Sequence, residues 1–376
     1  MLTEEQEMIR DAARAFSRDK LAPGAEARAE AALIEPEVRA ELAALGFLGM
    51  TIDPDWDGAG ADYVSYALAL MEIAHGDGAV STMVSVHNAP FLAILDRFAS
   101  AEQKERWLRP AARGEFIGCF ALTEPQAGSD AAAVKTRAEK SGNGWKINGA
   151  KQFISSARIG GATILFAVTD PAAGKKGISA FIAPNDAEGF HVSKVEAKSG
   201  QRASDTCALA FDDLALPADA LIGAEGQGYA IALSSLETGR IGIAAQSVGM
   251  AQAAFDHALA YARERQSFGK PIFEHQAVQF RLADMDTQLE AARQMVLNAA
   301  RMKDAGIPCL REAAMAKLFA SEMAERVCSD AIQVLGGYGY LSDYPVERIW
   351  RDVRVCQIYE GTSDIQKLII ARQMGA

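Results

Sequence analysis

The sequence predicts an α+β protein of several domains: a helical domain, a small antiparallel β-barrel or sandwich domain, and a four-helix bundle. Three observations support this order. The first and last thirds are rich in Ala and Leu at helical spacing, whereas the middle contains short apolar runs bounded by Gly, Pro and Asp. The length of 376 residues suggests two or three domains. We place the domains at residues 1–117, 118–225 and 226–376.

The N-terminal domain is predicted to consist of helices separated by proline and glycine. Thr3 and Gln6 have the spacing of a capping box, and the helical pattern after them continues through Leu21. Later helix breaks are expected at Pro23, Pro36, Gly46, the loop 53–60 and Pro90.

The central domain carries the signals of short strands. Asn143-Gly144 and Asn148-Gly149 predict turns, because Asn-Gly pairs tolerate the positive φ of tight hairpins. The apolar runs that predict strands are residues 162–168, 177–182 and 207–211. A glycine cluster at positions 223, 226 and 228 closes the domain.

The C-terminal domain returns to helical periodicity. Helices are expected at about residues 229–264, 274–305, 309–335 and 345–357, and from 363 to the end. Glycine and proline mark the short connections near 269–271, 306–308 and 336–339. Long helices joined by short connections predict an antiparallel bundle.

Glu360 lies in a predicted break between two helices. Apolar residues at helical spacing precede it, and Ser363 with Gln366 has the spacing of a capping box after it. Such a break lets a carboxylate enter a cavity that regular helices line. The local pattern alone favours an ordinary surface turn over such a cavity.

Composition excludes several classes of function. The net charge of −11 argues against nucleic acid as a partner. The five cysteines are scattered without a CxxC pair, which is typical of a reducing compartment. The five isolated histidines predict no metal site. We expect no membrane span, because no run reaches roughly 18 uninterrupted apolar residues.

The N-terminus begins at once with a helix signal rather than a signal or transit peptide. The expected location is therefore the cytoplasm, or the mitochondrial matrix if the chain is a processed one. The glycine-rich motifs of Rossmann and P-loop proteins, and the GxSxG elbow of hydrolases, are not found in the sequence.

A motif at residues 119–130, Cys-Phe-Ala-Leu-Thr-Glu-Pro-Gln-Ala-Gly-Ser-Asp, opens the central domain. Its small hydroxyl and backbone donors could bind a flavin edge and a phosphate, although such residues also form ordinary turns. This motif resembles the flavin-binding signature of the acyl-CoA dehydrogenase family, and residues 358–362 resemble that family's base-carrying signature. The resemblance continues through residues 151–156, 239–244, 263–270, 333–337 and 344–348.

The resemblance implies FAD as cofactor and assigns its contacts residue by residue. It places Phe120, Leu122 and Thr123 at the flavin ring edge, and Ser129 near the pyrophosphate and the substrate. The same set includes Gly128, Phe153, Ile154, Ser155, Thr362 and Asp364. The family usually has Trp at position 153 and Thr at position 155; Phe keeps a stacking face and Ser keeps the hydroxyl.

A second group of matching positions implies contacts to the cofactor of a neighbouring subunit. These residues are Arg265, Phe268, Gln276, Gln333, Gly336 and Gly337. Without the resemblance, Arg265 would simply pair with an acid on its helix and Gln276 would be solvated. Gly336 and Gly337 would mark the end of a helix. The resemblance instead makes oligomerisation part of the active site and implies a homotetramer, a dimer of dimers.

The resemblance also implies the catalytic and substrate-binding residues. Glu360 is the candidate base, with Tyr359 as a pocket wall and Gly361 allowing the acyl chain to pass close to the backbone. Glu237 and Arg240 match a substrate-side pair in which the acid is commonly Asp or Asn. Isovaleryl- and long-chain-type members carry their base as a Glu immediately before that Arg, where this chain has Gly239.

The acidity of Glu360 depends on two opposing effects. The helix start at Ser363 favours the charged carboxylate by roughly 0.3–1 kcal/mol, whereas desolvation in an apolar pocket disfavours it by up to several pKa units. We expect desolvation to dominate.

The sequence therefore predicts FAD-dependent α,β-dehydrogenation of a short or branched short acyl-CoA, with electrons passed to an electron-transfer flavoprotein. Fatty-acid β-oxidation and branched-chain amino-acid degradation are the settings that this reaction implies. A decarboxylating glutaryl-CoA dehydrogenase and an acyl-CoA oxidase stay open as alternatives. A nucleic-acid-binding relative is disfavoured by the acidic charge and by Glu360.

Overall fold

The computed structural model describes residues 2–375 and begins with helices, as predicted. Thr3 caps α1 in a reciprocal capping box with Gln6. The helical pattern predicted through Leu21 is present, but α1 ends at Phe16 and the chain continues as one π-helical turn, Ser17–Leu21. The helices of this part are α1 (Glu4–Phe16), α2 (Ala22–Ala31), α3 (Pro36–Ala44), α4 (Tyr63–Gly76), α5 (Gly78–Val86), α6 (Ala93–Phe98), α7 (Ala101–Gln103) and α8 (Arg109–Ala112).

One stretch in this part, Gly78–Phe98, is long and apolar enough to cross a membrane by length and composition. Of its most apolar window, 94% is buried inside the protein, which is how a core helix behaves. The expected break at Pro90 falls within it, where Ala89 leaves the helical conformation.

The central part is a sheet, and its topology corrects the prediction of a purely antiparallel domain. The strand order is β6-β7-β3-β2-β4-β5-β8, with β1 also paired to β4. Both β1 and β2 run parallel to β4, so the sheet is mixed. The strands are β1 (Gly118–Ala121), β2 (Arg137–Ser141), β3 (Gly144–Ser155), β4 (Ala162–Val168), β5 (Ile178–Pro184), β6 (Phe190–Val195), β7 (Thr206–Pro217) and β8 (Leu221–Ile222).

The two Asn-Gly signals have different outcomes. Asn143-Gly144 does mark the hairpin between β2 and β3. The turn predicted at Asn148-Gly149 is wrong, because both residues lie inside β3 at a bulge in its pairing with β7. Asn148 exchanges two hydrogen bonds with Asp213 there, at 2.8 and 2.9 Å. The Asn-Gly pair thus serves a bulge rather than a chain reversal.

The C-terminal part contains three long helices and two short ones. They are α9 (Gly228–Glu264), α10 (Gln276–Asp304), α11 (Leu310–Leu335), α12 (Pro345–Val353) and α13 (Ser363–Met374), with a small hairpin of β9 (Gln266–Ser267) and β10 (Lys270–Pro271) after α9. The helix predicted over 345–357 ends at Val353 and becomes a 3₁₀ turn, Arg354–Gln357. This turn begins the loop that carries Glu360.

Helix α9 is the centre of the molecule, because it packs on α4 as well as on α10 and α11. Its residues Ile243 and Val248 share one apolar core with Tyr66 of α4 and Val327 of α11. Helices α1, α4 and α5 therefore share one core with the C-terminal helices, whereas α6 and α8 pack in a second cluster with the sheet.

A buried ion pair joins α2 to the N-terminus of α5. Arg28 Nε donates to Asp77 Oδ2 at 2.7 Å, and both side chains are almost fully buried. Asp77 also caps α5 by accepting from the backbone N–H groups of Ala79 and Val80. No local pattern in the sequence predicts this pair, because its two residues are 49 positions apart.

Arg28→Met tests the importance of this pair. The variant leaves the Asp77 carboxylate buried without its cation, so we expect a loss of about 3–5 kcal/mol in the free energy of unfolding. Chemical denaturation measures this loss. Arg18→Met is the matched control, because Arg18 pairs with Asp19 in full solvent and its removal should change stability little. Equal stability of the two variants would contradict the prediction.

Candidate active site

The loop that carries Glu360 forms the break between helices that the sequence predicts. It lies between the 3₁₀ turn Arg354–Gln357 and α13. Glu360 has φ = 51° and Gly361 has φ = 91°. Two successive residues in this left-handed region turn the chain sharply, and a non-glycine residue adopts it only where its surroundings enforce it.

The capping box predicted at Ser363 and Gln366 is wrong by one residue. The N-cap of α13 is Thr362, whose hydroxyl accepts from the N–H of Ile365 at 3.4 Å. Gln366 is fully buried and turns back to the loop, where its Nε2 donates to the carbonyls of Glu360 and Gly361 at 3.2 and 2.8 Å.

A second donor fixes the same loop from α11. Lys317 is fully buried, and its Nζ donates to the Gly361 carbonyl at 2.8 Å. The sequence analysis missed Lys317 and the real role of Gln366. Both belong to regular helical patterns, so their spacing carries no signal of what they contact.

The Glu360 carboxylate is buried although other atoms of the residue are exposed. Its Oε2 has no hydrogen-bond partner within residues 2–375. Desolvation raises the pKa of Glu360 to about 7, against the opposing positive charges of Arg240 and Lys317. Desolvation therefore outweighs the charged neighbours, as expected, and the carboxyl exchanges protons near neutral pH.

Gly239 of α9 lies directly against this carboxylate. A Cβ built on Gly239 would overlap Oε2 of Glu360. A side chain at position 239 and the present Glu360 conformation therefore exclude each other. The glycine noted in the sequence leaves the space that the Glu360 carboxylate occupies.

Arg240, the next residue of α9, is buried with an unsatisfied guanidinium. Its Nε and Nη1 have no hydrogen-bond partner in the described part of the chain. Burial lowers the pKa of Arg240 below its ordinary value, and the negative charges of Glu360 and Glu237 partly offset this. Unpaired buried donors beside a buried carboxyl are what a site for a polar ligand presents.

Glu237 is directed elsewhere. Its carboxylate pairs with Lys303 Nζ at 2.9 Å and lies 3.6 Å from Cys309 Sγ. Of the expected pair, the acid is therefore held by Lys303, whereas Nε and Nη1 of Arg240 have no partner in the described residues.

Tyr359 packs against the main core and is held at its hydroxyl. The hydroxyl donates to Gln246 Oε1 of α9 and lies 3.5 Å from Cys356 Sγ. Gln246 is fully buried and donates in turn to Ser81 at 2.7 Å. The ring of Tyr359 is therefore fixed by a polar chain that reaches α5.

The two flavin-type motifs of the sheet are adjacent in space. The Gln152 N–H donates to the Thr123 carbonyl at 2.9 Å. The buried Lys151 Nζ donates to the Leu122 carbonyl at 3.2 Å and pairs with Glu124 at 2.8 Å. The structure thus brings the segment 120–129 next to the segment 153–155, although 30 residues of sequence separate Thr123 from Phe153.

The individual positions of these segments differ in exposure. Leu122 and Ile154 are buried, Phe120, Thr123 and Ser155 are half-buried, and Gly128 and Ser129 are exposed. Phe153 has φ = 61° and is 64% exposed. A large aromatic side chain held in the left-handed region with its ring uncovered presents a face for stacking. Near the Glu360 loop, Thr362 is half-buried and Asp364 is exposed.

The second group of expected cofactor contacts gathers at one end of the bundle. Arg265, Gly336 and Gly337 line a cavity of about 500 Å³ together with Tyr261, Ser267, Ile272, Val334, Leu335, Tyr338 and Leu341. The Arg265 guanidinium lies 5.6 Å from the centre of the Tyr338 ring. Phe268 is 94% exposed, and Gln276 and Gln333 are also exposed.

The two groups of residues lie far apart within one chain. Arg240 and Arg265 are separated by 25 residues along α9, which is about 37 Å of helix at 1.5 Å per residue. That distance exceeds the diameter of a small domain. One chain therefore does not bring the cavity at Arg265 to the carboxylate of Glu360.

Comparison with known proteins gives matches over nearly the whole chain. Family models match three successive segments: the acyl-CoA dehydrogenase N-terminal domain at residues 3–115, the middle domain at 119–214 and the C-terminal domain at 226–375. The short-chain specific acyl-CoA dehydrogenase of Rattus norvegicus mitochondria is 43% identical over 370 residues, which is 98% of this chain and 90% of the relative.

Two solved structures are similar over the whole chain. Butyryl-CoA dehydrogenase from Megasphaera elsdenii has a TM-score of 0.98 at 39% identity, covering 100% of this chain and 99% of its own. A chain of a structure named for the electron transferring flavoprotein of Acidaminococcus fermentans has a TM-score of 0.98 at 41% identity, covering 100% and 98%. The chain belongs to the acyl-CoA dehydrogenase family.

Members of this family are FAD-dependent enzymes, and FAD is the cofactor of this chain. The residues present fit that group. Phe153 presents an uncovered aromatic face, and the segment around Thr123 offers hydroxyl and backbone donors. Within residues 2–375, no group of three His, Cys, Asp or Glu side chains could hold a metal ion.

Gly239→Ala tests the contact between α9 and Glu360. The added methyl group displaces the carboxylate, so we expect turnover with acyl-CoA to fall at least about tenfold while FAD stays bound. Flavin content and steady-state rate measure the two effects. Gly375→Ala, where the new methyl group meets nothing within 4 Å, is the control. Full activity of Gly239→Ala would show that the carboxylate is not held against α9.

Proposed function

We propose that the chain oxidises a short or branched short acyl-CoA to the 2,3-enoyl-CoA, with Glu360 as the base that removes the α proton. The observation that supports this most is the buried Oε2 of Glu360, which has no partner in the described residues and whose carboxyl has a pKa of about 7. A base poised near the working pH combines a useful ionised fraction with useful basicity.

The loop geometry supports this role. The carboxylate accepts the proton at Oε2, since no neighbouring donor occupies that atom. The Glu360 backbone N–H is proposed to donate to the thioester oxygen, which stabilises the negative charge that develops as the α proton leaves. FAD, when bound, supplies the acceptor for the hydride from Cβ.

The other site residues are proposed to bind and orient. Tyr359 and Gly361 flank the base and line the acyl path, and Arg240 faces the substrate with its free donors. Glu237 reaches the CoA arm only as part of its ion pair with Lys303. The near FAD contacts are proposed at Phe120, Leu122, Thr123, Gly128, Ser129, Phe153, Ile154, Ser155, Thr362 and Asp364.

The far FAD contacts are proposed to come from a neighbouring subunit. Arg265, Gly336 and Gly337 line a cavity at the opposite end of α9, and Phe268 is almost fully exposed beside it. The set, which also contains Gln276 and Gln333, therefore completes the site of another chain. We propose a homotetramer built as a dimer of dimers, each chain with domains at 1–117, 118–225 and 226–376.

The substrate range and the electron acceptor follow from the relatives. Similarity to a short-chain specific dehydrogenase and to a butyryl-CoA dehydrogenase supports a short acyl chain, as in fatty-acid β-oxidation. We also propose branched short acyl chains as substrates, as in branched-chain amino-acid degradation. One similar chain comes from the structure named for the electron transferring flavoprotein of Acidaminococcus fermentans, which supports such a flavoprotein as the electron acceptor. We propose a cytoplasmic location, or the matrix for a processed mitochondrial chain.

Anaerobic bleaching of the bound flavin tests the reaction. Purified protein mixed with butyryl-CoA or 2-methylbutyryl-CoA should lose its yellow colour. Glu360→Gln should keep FAD and lose bleaching by about three orders of magnitude or more, because the amide cannot accept the α proton. Glu41→Gln, which changes an exposed acid of α3 paired with Lys20, is the control.

Each other outcome selects a different function. Retained bleaching in Glu360→Gln would place the base elsewhere. Release of CO₂ from glutaryl-CoA would select the decarboxylating reaction, and rapid turnover with O₂ as the only acceptor would select an oxidase. Protein that cannot take up FAD would overturn the proposal altogether.

Mixed oligomers test the shared site. Glu360→Gln and Arg265→Ala chains are co-expressed with different affinity tags, and the hybrids are purified by both tags. In a shared arrangement one site of each hybrid dimer carries both changes and the other carries neither. We expect each pure variant to be poorly active and the hybrid to recover about half of the wild-type activity per dimer. A hybrid no more active than its parents would place both residues in the same site.

A further inference from the structure

We propose that Lys317 is a positioning residue of the reaction: its buried ammonium group fixes the Glu360–Gly361 backbone and brings a positive charge to the loop that carries the Glu360 carboxyl. This inference rests on the proposed role of Glu360 as the base. It assigns a function to a buried side chain that no motif of the sequence indicates.

The contact itself is short and fully enclosed. Lys317 lies in the middle of α11 with its side chain buried, and its Nζ donates to the Gly361 carbonyl at 2.8 Å. This is its only hydrogen bond within residues 2–375, and no acid there is hydrogen-bonded to Nζ. A buried ammonium group with one neutral acceptor is costly to maintain.

The Gly361 carbonyl does not need a lysine. Gln366 Nε2 already donates to the same oxygen at 2.8 Å, and a carbonyl oxygen is satisfied by one or two donors. A neutral residue at position 317 would leave that carbonyl paired. What Lys317 adds beyond the bond from Gln366 is a second donor with a positive charge.

That charge acts on Glu360. The charged and titratable groups that face the carboxyl are Arg240 from α9, Lys317 from α11 and the neutral hydroxyl of Tyr66 from α4. Both cations lower the pKa of Glu360 against the larger effect of desolvation. Neither forms an ion pair with the carboxylate within residues 2–375. They stabilise the ionised form and leave its oxygen free to accept a proton.

Lys317 also faces groups that act on its own charge. Burial lowers the pKa of Lys317 to about 8, with Cys356, Glu360 and Glu322 opposing this and Arg240 adding to it. At neutral pH the lysine is therefore still charged while Glu360 is near its midpoint. Because the two sites interact, their protons come off in coupled steps.

The test compares two variants that each remove one bond to the same carbonyl. Lys317→Met removes its bond to the Gly361 carbonyl and the charge. Gln366→Met removes a bond of equal length to that carbonyl, and also the 3.2 Å bond to the Glu360 carbonyl, but no charge. Lys317→Arg keeps the charge, and Lys367→Met removes an exposed lysine on α13 as the control for charge alone. Circular dichroism and flavin content verify that each variant is folded.

The readout that does not depend on activity is the titration of Glu360 by infrared difference spectroscopy. The carbonyl stretch of the protonated carboxyl is identified as the band missing from Glu360→Gln. We expect its midpoint to rise by about one pH unit in Lys317→Met and to stay near the wild-type value in Gln366→Met, Lys317→Arg and Lys367→Met. The pH profile of kcat/KM should shift in parallel, with about a tenfold loss below the midpoint.

The outcomes are separable. An unshifted midpoint in Lys317→Met, or equal shifts in the two methionine variants at 317 and 366, would reduce Lys317 to a structural bond and overturn the proposal. If Lys317→Met does not fold, Lys317→Gln against Lys317→Arg makes the same comparison. Failure of every acyl-CoA to bleach the wild-type flavin would reject the proposed function, while the infrared midpoint would still decide the role of Lys317.

Discussion

Desolvation of a single carboxyl is the effect on which the site depends. Glu360 is held in a left-handed turn so that its carboxylate lies against the bare backbone of Gly239. Water is excluded from Oε2, and the resulting rise in pKa brings the group to the range in which a base is useful. Arg240 and Lys317 limit that rise, so the acidity is a balance between burial and two cations.

The structure maintains this balance with buried polar contacts from several directions. Gln366 and Lys317 fix the backbone of the loop, and Gln246 fixes the adjacent Tyr359. From Gln246 the contacts continue to α5, whose N-terminus is capped by the Asp77 carboxylate of the Arg28 pair. A partly satisfied polar network inside a core is costly, whereas a connected one specifies a single arrangement.

The sequence predicted the order of helices, strands and helices, because periodicity and turn residues are local signals. It predicted the break at Glu360 and the dominance of desolvation there. It did not predict the parallel pairing of β1 with β4, since strand direction in a sheet depends on long-range contacts. The capping box at Ser363 was displaced because Gln366 is used by the loop instead. Lys317, Gln366 and Arg28 were missed for a common reason: their partners are 5 to 49 residues away and lie on other elements or loops.

The exclusion between Gly239 and Glu360 also limits how such a site can change through evolution. A Cβ on residue 239 would overlap Oε2 of Glu360, so any substitution of this glycine requires a new position of the Glu360 side chain. Substitutions at positions 239 and 360 are therefore expected to have non-additive effects, because the two residues compete for one volume.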